Sequence, residues 1–160
     1  MINHEEKAKE YFKSGYNCSQ SVFLSYAEEM GLDAETALKI SSSFGGGMGR
    51  LREVCGAVSG MFMALGLAQG YTDKDDHAAK KEHYEKIQHL AKEFEKLNGS
   101  IVCRTLLGLN LQHDNPTPAV RDKEYYKKRP CVELVGDACR ILDKYFQEQI
   151  GRAHVWTPVT

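Results

Sequence analysis

The stretch FGGGMGRLREVCGAVSGMFMALGLAQG, residues 44–70, opens with glycines and two arginines and carries no charged side chain from residue 54 onward. Within it, Gly56, Gly60 and Ala64 recur every four residues and therefore share one face of a helix. Side chains this small allow a second helix to approach closely. The pattern predicts a buried central helix over about residues 52–68, with Cys55 near its N-terminal end and the other cysteines brought up to it.

Helical spacing of apolar residues extends over most of the remaining chain. The predicted helices cover about residues 4–13, 18–30, 34–43, 77–97, 101–107 and 131–145, and a long loop precedes the last of them. Asn17 and Asp33 belong to the residue types that cap helix N-termini. No segment predicts a strand. We therefore expect an all-α fold, a compact single-domain bundle of about six or seven helices around the central helix.

The bulk properties limit the classes of function. The chain has 160 residues, a mass of 18.0 kDa and a formal net charge of -1, so no global basic field attracts nucleic acid. The N-terminal sequence MINHEEKAKEYF lacks the apolar core of a signal peptide, and the uncharged run is short and glycine-rich for a membrane span. These features predict a cytoplasmic protein that binds neither nucleic acid nor a membrane.

The end of the chain differs in character from the rest. Residues 150–160, IGRAHVWTPVT, resemble a translated sequencing adapter and depart from the helical pattern before them. We therefore expect one helical cysteine-motif domain over residues 1–149 and a non-native tail over residues 150–160.

Four of the five cysteines fall at predicted helix starts, namely Cys18, Cys55, Cys103 and Cys131. Unpaired backbone N–H groups and the helix dipole favour a thiolate at such positions, and Arg50 and Arg52 just before Cys55 add positive charge. A thiolate is the form that attacks disulfides and binds metals. Cys139 lies two turns into its helix among apolar residues, and we predict that it is a core side chain.

Other patterns in the sequence carry weaker signals. The chain has no C-x-x-C pair, so it has neither a zinc ribbon nor a thioredoxin-like motif. The FGGGMG segment lacks the Lys-Ser/Thr end of a phosphate-binding loop and is predicted to be a turn that lets the backbone pass close to Cys18 or Cys55. His113, in the long loop, is a secondary candidate for a ligand or proton donor. Burial of all five cysteines as small hydrophobic side chains is the structural alternative.

The cysteine pattern resembles that of a known family. Its segments are CGAVSG at residues 55–60, which fits a CGAxxG signature, GYNCSQSV around Cys18, GSIVCRTLLG around Cys103 and RPCVELVGDACRIL from Arg129. With this ordered set the chain resembles the C-GCAxxG-C-C family, regarded as redox-active, over about residues 5–147. The resemblance implies redox roles for Cys18, Cys55, Cys103 and Cys131. A related domain in split-Soret cytochromes is associated with an iron–sulfur centre, which implies cluster ligation by the same four cysteines as an alternative.

Three hypotheses for the function follow. In the first, two or more of the four cysteines cycle between dithiol and disulfide with a redox partner protein or a small thiol, and Cys55 attacks because of the helix dipole and the nearby arginines. In the second, the four thiolates hold an iron–sulfur cluster and pass electrons. In the third, the chain is a non-catalytic accessory or binding module whose cysteines hold a structural metal. The sequence leaves the choice among them open.

Overall fold

Helices account for the regular structure of the chain. The computed structural model describes residues 3–111 and 113–156, with the backbone alone over residues 152–156. The helices in this part of the chain are α1 (His4–Ser14), α2 (Cys18–Ala27), α3 (Ala34–Ser41), α4 (Gly45–Met48), α5 (Gly56–Gln69), α6 (His77–Asn98), α7 (Cys103–Leu106), α8 (Lys123–Lys128) and α9 (Cys131–Trp156). Pairing of β type in the same residues is limited to one isolated bridge between Val54 and Val102. The predicted all-α fold is confirmed.

The helix starts follow from the local sequence. Asn17 caps α2 through a reciprocal arrangement in which its side chain accepts from the amide of Gln20, and the Gln20 side chain accepts from the amide of Asn17. Asp33 and Asp76 cap α3 and α6 in the simpler way, with a side-chain oxygen that accepts an amide three residues on. The capping roles predicted for Asn17 and Asp33 are therefore confirmed.

The central helix, α5, begins later than predicted. It starts at Gly56 rather than near residue 52, because residues 52–55 form hydrogen bonds with residues 101–104 instead of continuing the helix. From Gly56 to Met61 every residue is buried, and the helix packs against α2, α6 and α9. The predicted central position of this helix is thus confirmed, with a corrected N-terminal boundary.

The glycines of α5 let α2 lie directly against it. A Cβ atom added at Gly56 would lie 2.3 Å from the Sγ atom of Cys18, and one added at Gly60 would lie 2.8 Å from the carbonyl oxygen of Ser19. Both distances are far below van der Waals contact, so the two helices pack at a separation that any larger side chain would prevent. This close approach brings the start of α2 to the start of α5.

The glycine-rich segment before α5 winds in the left-handed sense. Positive φ angles occur at Gly46, Gly47, Met48, Gly49, Arg50 and Arg52. Each non-glycine residue in this conformation costs about 1–2 kcal/mol. The amides of residues 50–53 turn back onto the carbonyls of residues 45–48, which offsets part of this cost. The segment thereby forms a turn, as predicted, but its Gly47 packs against Cys103, whereas the prediction named Cys18 or Cys55. Its Arg50 and Arg52 side chains both donate to Asp114 of the long loop.

The last helix runs further than the sequence pattern indicates. The break expected at Ile150 is absent, since α9 continues to Trp156. Residues 157–160 of the predicted tail lie outside the described part of the chain, and the non-native origin of residues 150–160 stays a prediction. Among the described residues, none of the helices combines the length and the apolar content that crossing a bilayer requires.

His4, the first residue of α1, connects three helices. Its ring stacks on Tyr26 of α2 with centroids 4.1 Å apart, and its two nitrogens pair with Glu29 and with Asp143 of α9. Burial lowers the pKa of His4, but the hydrogen bonds and charges of the two carboxylates outweigh burial and raise the pKa above its ordinary value. A protonated imidazole therefore helps to hold α1, α2 and α9 together.

Replacing His4 by Gln should destabilise the protein more in acid than in alkali. A pKa that is raised on folding adds stability that is fully present below the unfolded pKa, about 6.5, and is lost as the pH rises through the folded pKa. Thermal unfolding of wild type and His4→Gln at about pH 5.5 and about pH 9 tests this, and the gap in Tm should narrow at the higher pH. A gap that is the same at both values contradicts it.

Replacing Gly60 by Ala should destabilise the protein by about 1–3 kcal/mol, because the new methyl group would overlap the backbone of α2. Gly66 supplies a matched control in the same helix, since an added Cβ there meets nothing within 4 Å. Gly66→Ala should instead stabilise α5 by about 0.5–1 kcal/mol through lower chain entropy. Denaturant unfolding measures both changes. Equal stability of the two variants would show that α2 and α5 are not in close contact.

Candidate functional site

All four cysteines predicted to form the site line one cavity. Its volume is about 310 Å³, and its wall includes Cys18, Cys55, Cys103 and Cys131 together with Arg50, Arg52, Arg121 and Arg129. The four thiols are free, two of them are buried, and Cys18 and Cys131 are half-buried. The predicted positions at helix starts are confirmed: Cys18, Cys103 and Cys131 are the first residues of their helices, and Cys55 immediately precedes α5.

Cys18 and Cys55 meet because α2 and α5 begin at the same place. The Sγ atom of Cys18 lies over the backbone of Gly56, where a Cβ atom would overlap it. Asn17 fixes this end of α2 further by donating from its side-chain amide to the carbonyl oxygen of Ser42. The carbonyl group of Cys55 accepts the amide of Ser59, so Cys55 occupies the position that caps α5.

Cys103 reaches the cavity through pairing of two extended segments. The amide of Cys55 donates to the carbonyl of Ile101 at 2.8 Å, and the amide of Cys103 donates to the carbonyl of Glu53 at 2.6 Å. These bonds join the chain just before α5 to the chain just before α7. Gly47 of the glycine-rich segment closes the other side, since a Cβ atom there would lie 2.6 Å from the Cβ atom of Cys103.

Arg52 contacts Cys103 rather than Cys55. Its Nη1 atom lies 3.6 Å from the Sγ atom of Cys103, and its Nε and Nη2 atoms donate to Asp114 at 3.2 and 2.8 Å. Arg50 also donates to Asp114, at 2.9 Å, and its carbonyl accepts the Asp114 amide. The Arg52 hydrogen bond holds the pKa of Asp114 below its ordinary value. Asp114 thus anchors the long loop across the two arginines, while the neighbouring His113 is exposed.

The remaining wall comes from the residues around α8 and the start of α9. Arg121 donates to the carbonyl oxygens of Phe12 and, at 2.9 Å, Tyr16, which ties this segment to α1. Tyr125 lines the cavity beside Cys131, and its hydroxyl acts to lower the pKa of that thiol, against the effect of burial. The Arg129 guanidinium stands 5.8 Å from the Tyr125 ring centroid.

Burial reverses the expected effect of the helix starts on the thiols. The pKa of Cys55 is well above its ordinary value because of burial first and the neighbouring Cys18 second, and the amides of Ala57 and Val58 offset this only partly. Burial also raises the pKa of Cys103, against the hydrogen bond and charge of Arg52, and raises the pKa of Cys131 to about 11. The sequence predicted stabilised thiolates. In the structure, desolvation outweighs the helix ends, so these three thiols are protonated at neutral pH.

Cys18 is the sulfur that the other three share. Burial is the largest cause of the raised pKa values of Cys55 and Cys131, and the charge of a Cys18 thiolate is the second. The same charge also raises the pKa of Cys103. Ionisation of one thiol therefore opposes ionisation of its neighbours, and the cluster favours one thiolate at a time.

Cys139 lies outside this cavity. It is fully buried in the core, where its sulfur is 3.8 Å from the Ser25 hydroxyl and its carbonyl accepts from the Tyr26 hydroxyl at 3.0 Å. Burial raises the pKa of its thiol to about 12. The prediction that Cys139 is a core side chain is confirmed.

Several lining residues were missed by the sequence reasoning. Arg121 and Tyr125 belong to the segment predicted as a long loop, and no local pattern marks them. Arg129 follows two other basic residues in the sequence, Lys127 and Lys128. The two lysines are exposed, whereas Arg129 is half-buried against the cavity. Its position directly before the helix that starts with Cys131 was the one available signal.

The donor set suits thiolate-bound iron in type. In the described residues, no group of three or more His, Cys, Asp or Glu side chains is arranged to hold a single metal ion. An iron–sulfur cluster differs from a single ion because each of its irons takes its own ligand, and four thiols around one cavity are the donors that it uses. The arginines of the same wall would balance the negative charge of the thiolates. Cys18, Cys55, Cys103 and Cys131 would be its ligands.

Comparison with known proteins bears on this cysteine set. A family model described as "Putative redox-active protein (C_GCAxxG_C_C)" matches residues 16–145, which contain all four cavity cysteines. No curated protein and no solved structure matches the chain. The match supports a redox role in general terms, and the implied relation to split-Soret cytochromes stays a prediction.

Replacing Arg52 by Gln should raise the pKa of Cys103 further, because a donor and a positive charge beside the sulfur are lost. The pH profile of Cys103 alkylation by iodoacetamide, followed by peptide mass spectrometry, should shift upward by about one unit. Arg52→Lys, which keeps the charge, should shift it less.

Arg104→Gln is the matched control for this measurement. It removes the same charge one residue from Cys103, but the Arg104 guanidinium pairs with Glu53 at 3.2 Å instead of with the sulfur. Its profile should stay close to that of wild type. An Arg52→Gln profile that does not move, or that moves downward, contradicts the assignment.

Proposed function

This chain belongs to the C_GCAxxG_C_C family, and from that premise we propose that it is a thiol–disulfide exchange protein in which two of its four cavity cysteines cycle between dithiol and disulfide. The observation that carries the proposal is the single cavity lined by Cys18, Cys55, Cys103 and Cys131. Thiol exchange needs a second sulfur within reach of the first, and a shared cavity supplies it.

The geometry favours Cys103 as the attacking thiol. The sequence reasoning chose Cys55 because arginines precede it, but the buried guanidinium of Arg52 lies against Cys103. A cation beside the sulfur favours the thiolate that attacks a disulfide. Cys18 is our choice of resolving thiol, since it is half-buried and lines the same cavity as Cys103.

The proposed exchange proceeds in two steps. The Cys103 thiolate attacks one sulfur of a substrate disulfide, which forms a mixed disulfide and releases the other half of the substrate as a thiolate that takes up a proton. Cys18 then loses its proton and attacks the Cys103 sulfur, which forms a Cys18–Cys103 disulfide and releases the second half as a thiol. The substrate gains two electrons and two protons, and the protein loses them.

An iron–sulfur protein is the second candidate, favoured by the all-thiol donor set around one cavity. The cluster, when bound, would supply one-electron transfer. Cys18, Cys55, Cys103 and Cys131 would hold it, and the arginines of the wall would balance the negative charge of the thiolates. A structural metal on the same cysteines, in a module without turnover, is the third.

Anaerobic purification followed by metal analysis and an absorption spectrum separates the three. Metal-free protein that gains and loses one disulfide reversibly supports thiol exchange. Iron and sulfide in stoichiometric amounts would instead support the iron–sulfur protein. Bound zinc that remains after treatment with an oxidant would support the structural metal site.

Thiol trapping with peptide mass spectrometry then identifies the disulfide. We expect Cys18→Ser and Cys103→Ser to lose the reversible disulfide. Cys139→Ser is the matched control, because it removes a thiol outside the cavity, and should behave as wild type. Metal-free protein in which no two cavity cysteines ever pair would overturn the proposal.

A further inference from the structure

We infer that the substrate of this site is a small anionic disulfide, such as one with carboxylate groups on either side of its sulfurs, and that Arg129 binds its negative charge. This inference rests on the proposed thiol exchange and adds the chemical class of its substrate. Three properties of the cavity support it. They are its positive charge, the presence of an arginine without a carboxylate partner, and its small volume together with the burial of its sulfurs.

The cavity is cationic although the whole chain carries a net charge of -1. Arg50, Arg52, Arg121 and Arg129 all contribute to its wall, and within the described part of the chain no carboxylate does. Asp114, behind the wall, neutralises part of the charge of Arg50 and Arg52. A low-dielectric cavity with unbalanced positive charge attracts anions and raises their local concentration.

Arg129 is the cation that remains available to a ligand. Arg50 and Arg52 share Asp114, and Arg121 donates to two backbone carbonyls. Arg129 forms no ion pair with a carboxylate in the residues that the structure describes, and its guanidinium lies 5.8 Å from the ring centroid of Tyr125. Arg129 lines the same cavity as Cys103, and its charge acts on that thiol, so an anion held by Arg129 would lie near the attacking sulfur.

The size of the cavity favours a small molecule over a protein disulfide. A volume of about 310 Å³ lies at the lower end of the range of ligand pockets. The sulfur-bearing residues Cys55 and Cys103 are only 5% and 6% exposed. A disulfide on the surface of a folded protein would not reach them, whereas a small molecule that enters the cavity would. The thiols released from such a substrate are also anionic, and the same arginines would stabilise them as leaving groups.

Three disulfides of matched length test the inference. They are 3,3'-dithiodipropionate with two negative charges, bis(2-hydroxyethyl) disulfide with none, and cystamine with two positive charges. The rate at which each oxidises the reduced protein is measured by thiol trapping and mass spectrometry. We expect the anionic reagent to react at least about tenfold faster than the neutral one, the cationic reagent to be slowest, and the difference to shrink at high salt.

Arg129→Gln should bring the anionic and neutral rates to within about threefold of each other. Lys127→Gln is the matched control, since it removes the same charge from an exposed position two residues away, and should keep the wild-type preference. The neutral reagent should oxidise Lys127→Gln at the wild-type rate, and circular dichroism should show that both variants are folded. For Arg129→Gln the quantity compared is the ratio of its own anionic and neutral rates, which cancels any change in the reactivity of its thiols.

The outcomes separate this inference from the proposed function. If the neutral reagent forms a disulfide between cavity cysteines but the anionic one is no faster, or if Arg129→Gln keeps the preference, the anionic substrate class is wrong and thiol exchange stands. If no reagent oxidises a pair of cavity cysteines, the proposed function itself fails.

Discussion

The absence of a side chain at Gly56 is the constraint on which the rest of the site depends. It allows the Sγ atom of Cys18 to lie over the backbone at the start of α5, next to Cys55, where a Cβ atom would come within 2.3 Å of the sulfur. Gly60 keeps the same two helices together one turn further along. Two cysteines that are far apart in sequence are therefore brought together by the packing of two helices. Hydrogen bonds between the segments that precede α5 and α7 bring Cys103 to the same cavity, and Cys131 lines it from the start of α9.

The chemistry of the cavity is a competition between burial and positive charge. Burial favours the neutral thiol and prevails at Cys55, Cys103 and Cys131. The arginines of the wall act in the opposite sense, and Arg52 does so by direct contact with Cys103. A site of this kind holds its sulfurs protonated until an anion, an electrophilic disulfide or a metal alters the balance. Mutual repulsion through Cys18 further limits how many of them ionise together.

Local sequence was enough to predict the longer helices and the placement of the cysteines at helix starts, but not the short helices α4 and α8, the second of which lies in the predicted long loop. Asn17 and Asp33 cap helices within three residues of themselves, and the small face of α5 is a four-residue repeat, so both are readable without knowledge of the fold. The start of α5 was misplaced because the pairing of residues 52–55 with residues 101–104 is a contact between distant segments. Helical periodicity gives no sign of it.

The charged wall of the site could not be predicted for the same reason. Arg52 is three residues from Cys55 in sequence, and proximity along the chain suggested the wrong sulfur. The left-handed turn of the preceding segment directs its side chain to Cys103 and Asp114 instead. Arg121 joins the wall because it donates to the carbonyls of Phe12 in α1 and of Tyr16 between α1 and α2, more than a hundred positions earlier. Such partners depend on how the long loop returns to the body of the protein.

Bridging of the thiols by dibromobimane tests the central claim most directly. This reagent becomes fluorescent when two neighbouring thiols have displaced both of its bromines, and peptide mass spectrometry identifies the joined residues. The account predicts that the metal-free, reduced protein yields bridges that join Cys18 to Cys55, Cys103 or Cys131, and that Cys139 is absent from them. Modification of the same cysteines one at a time, with no bridge between any two, would contradict a shared cavity.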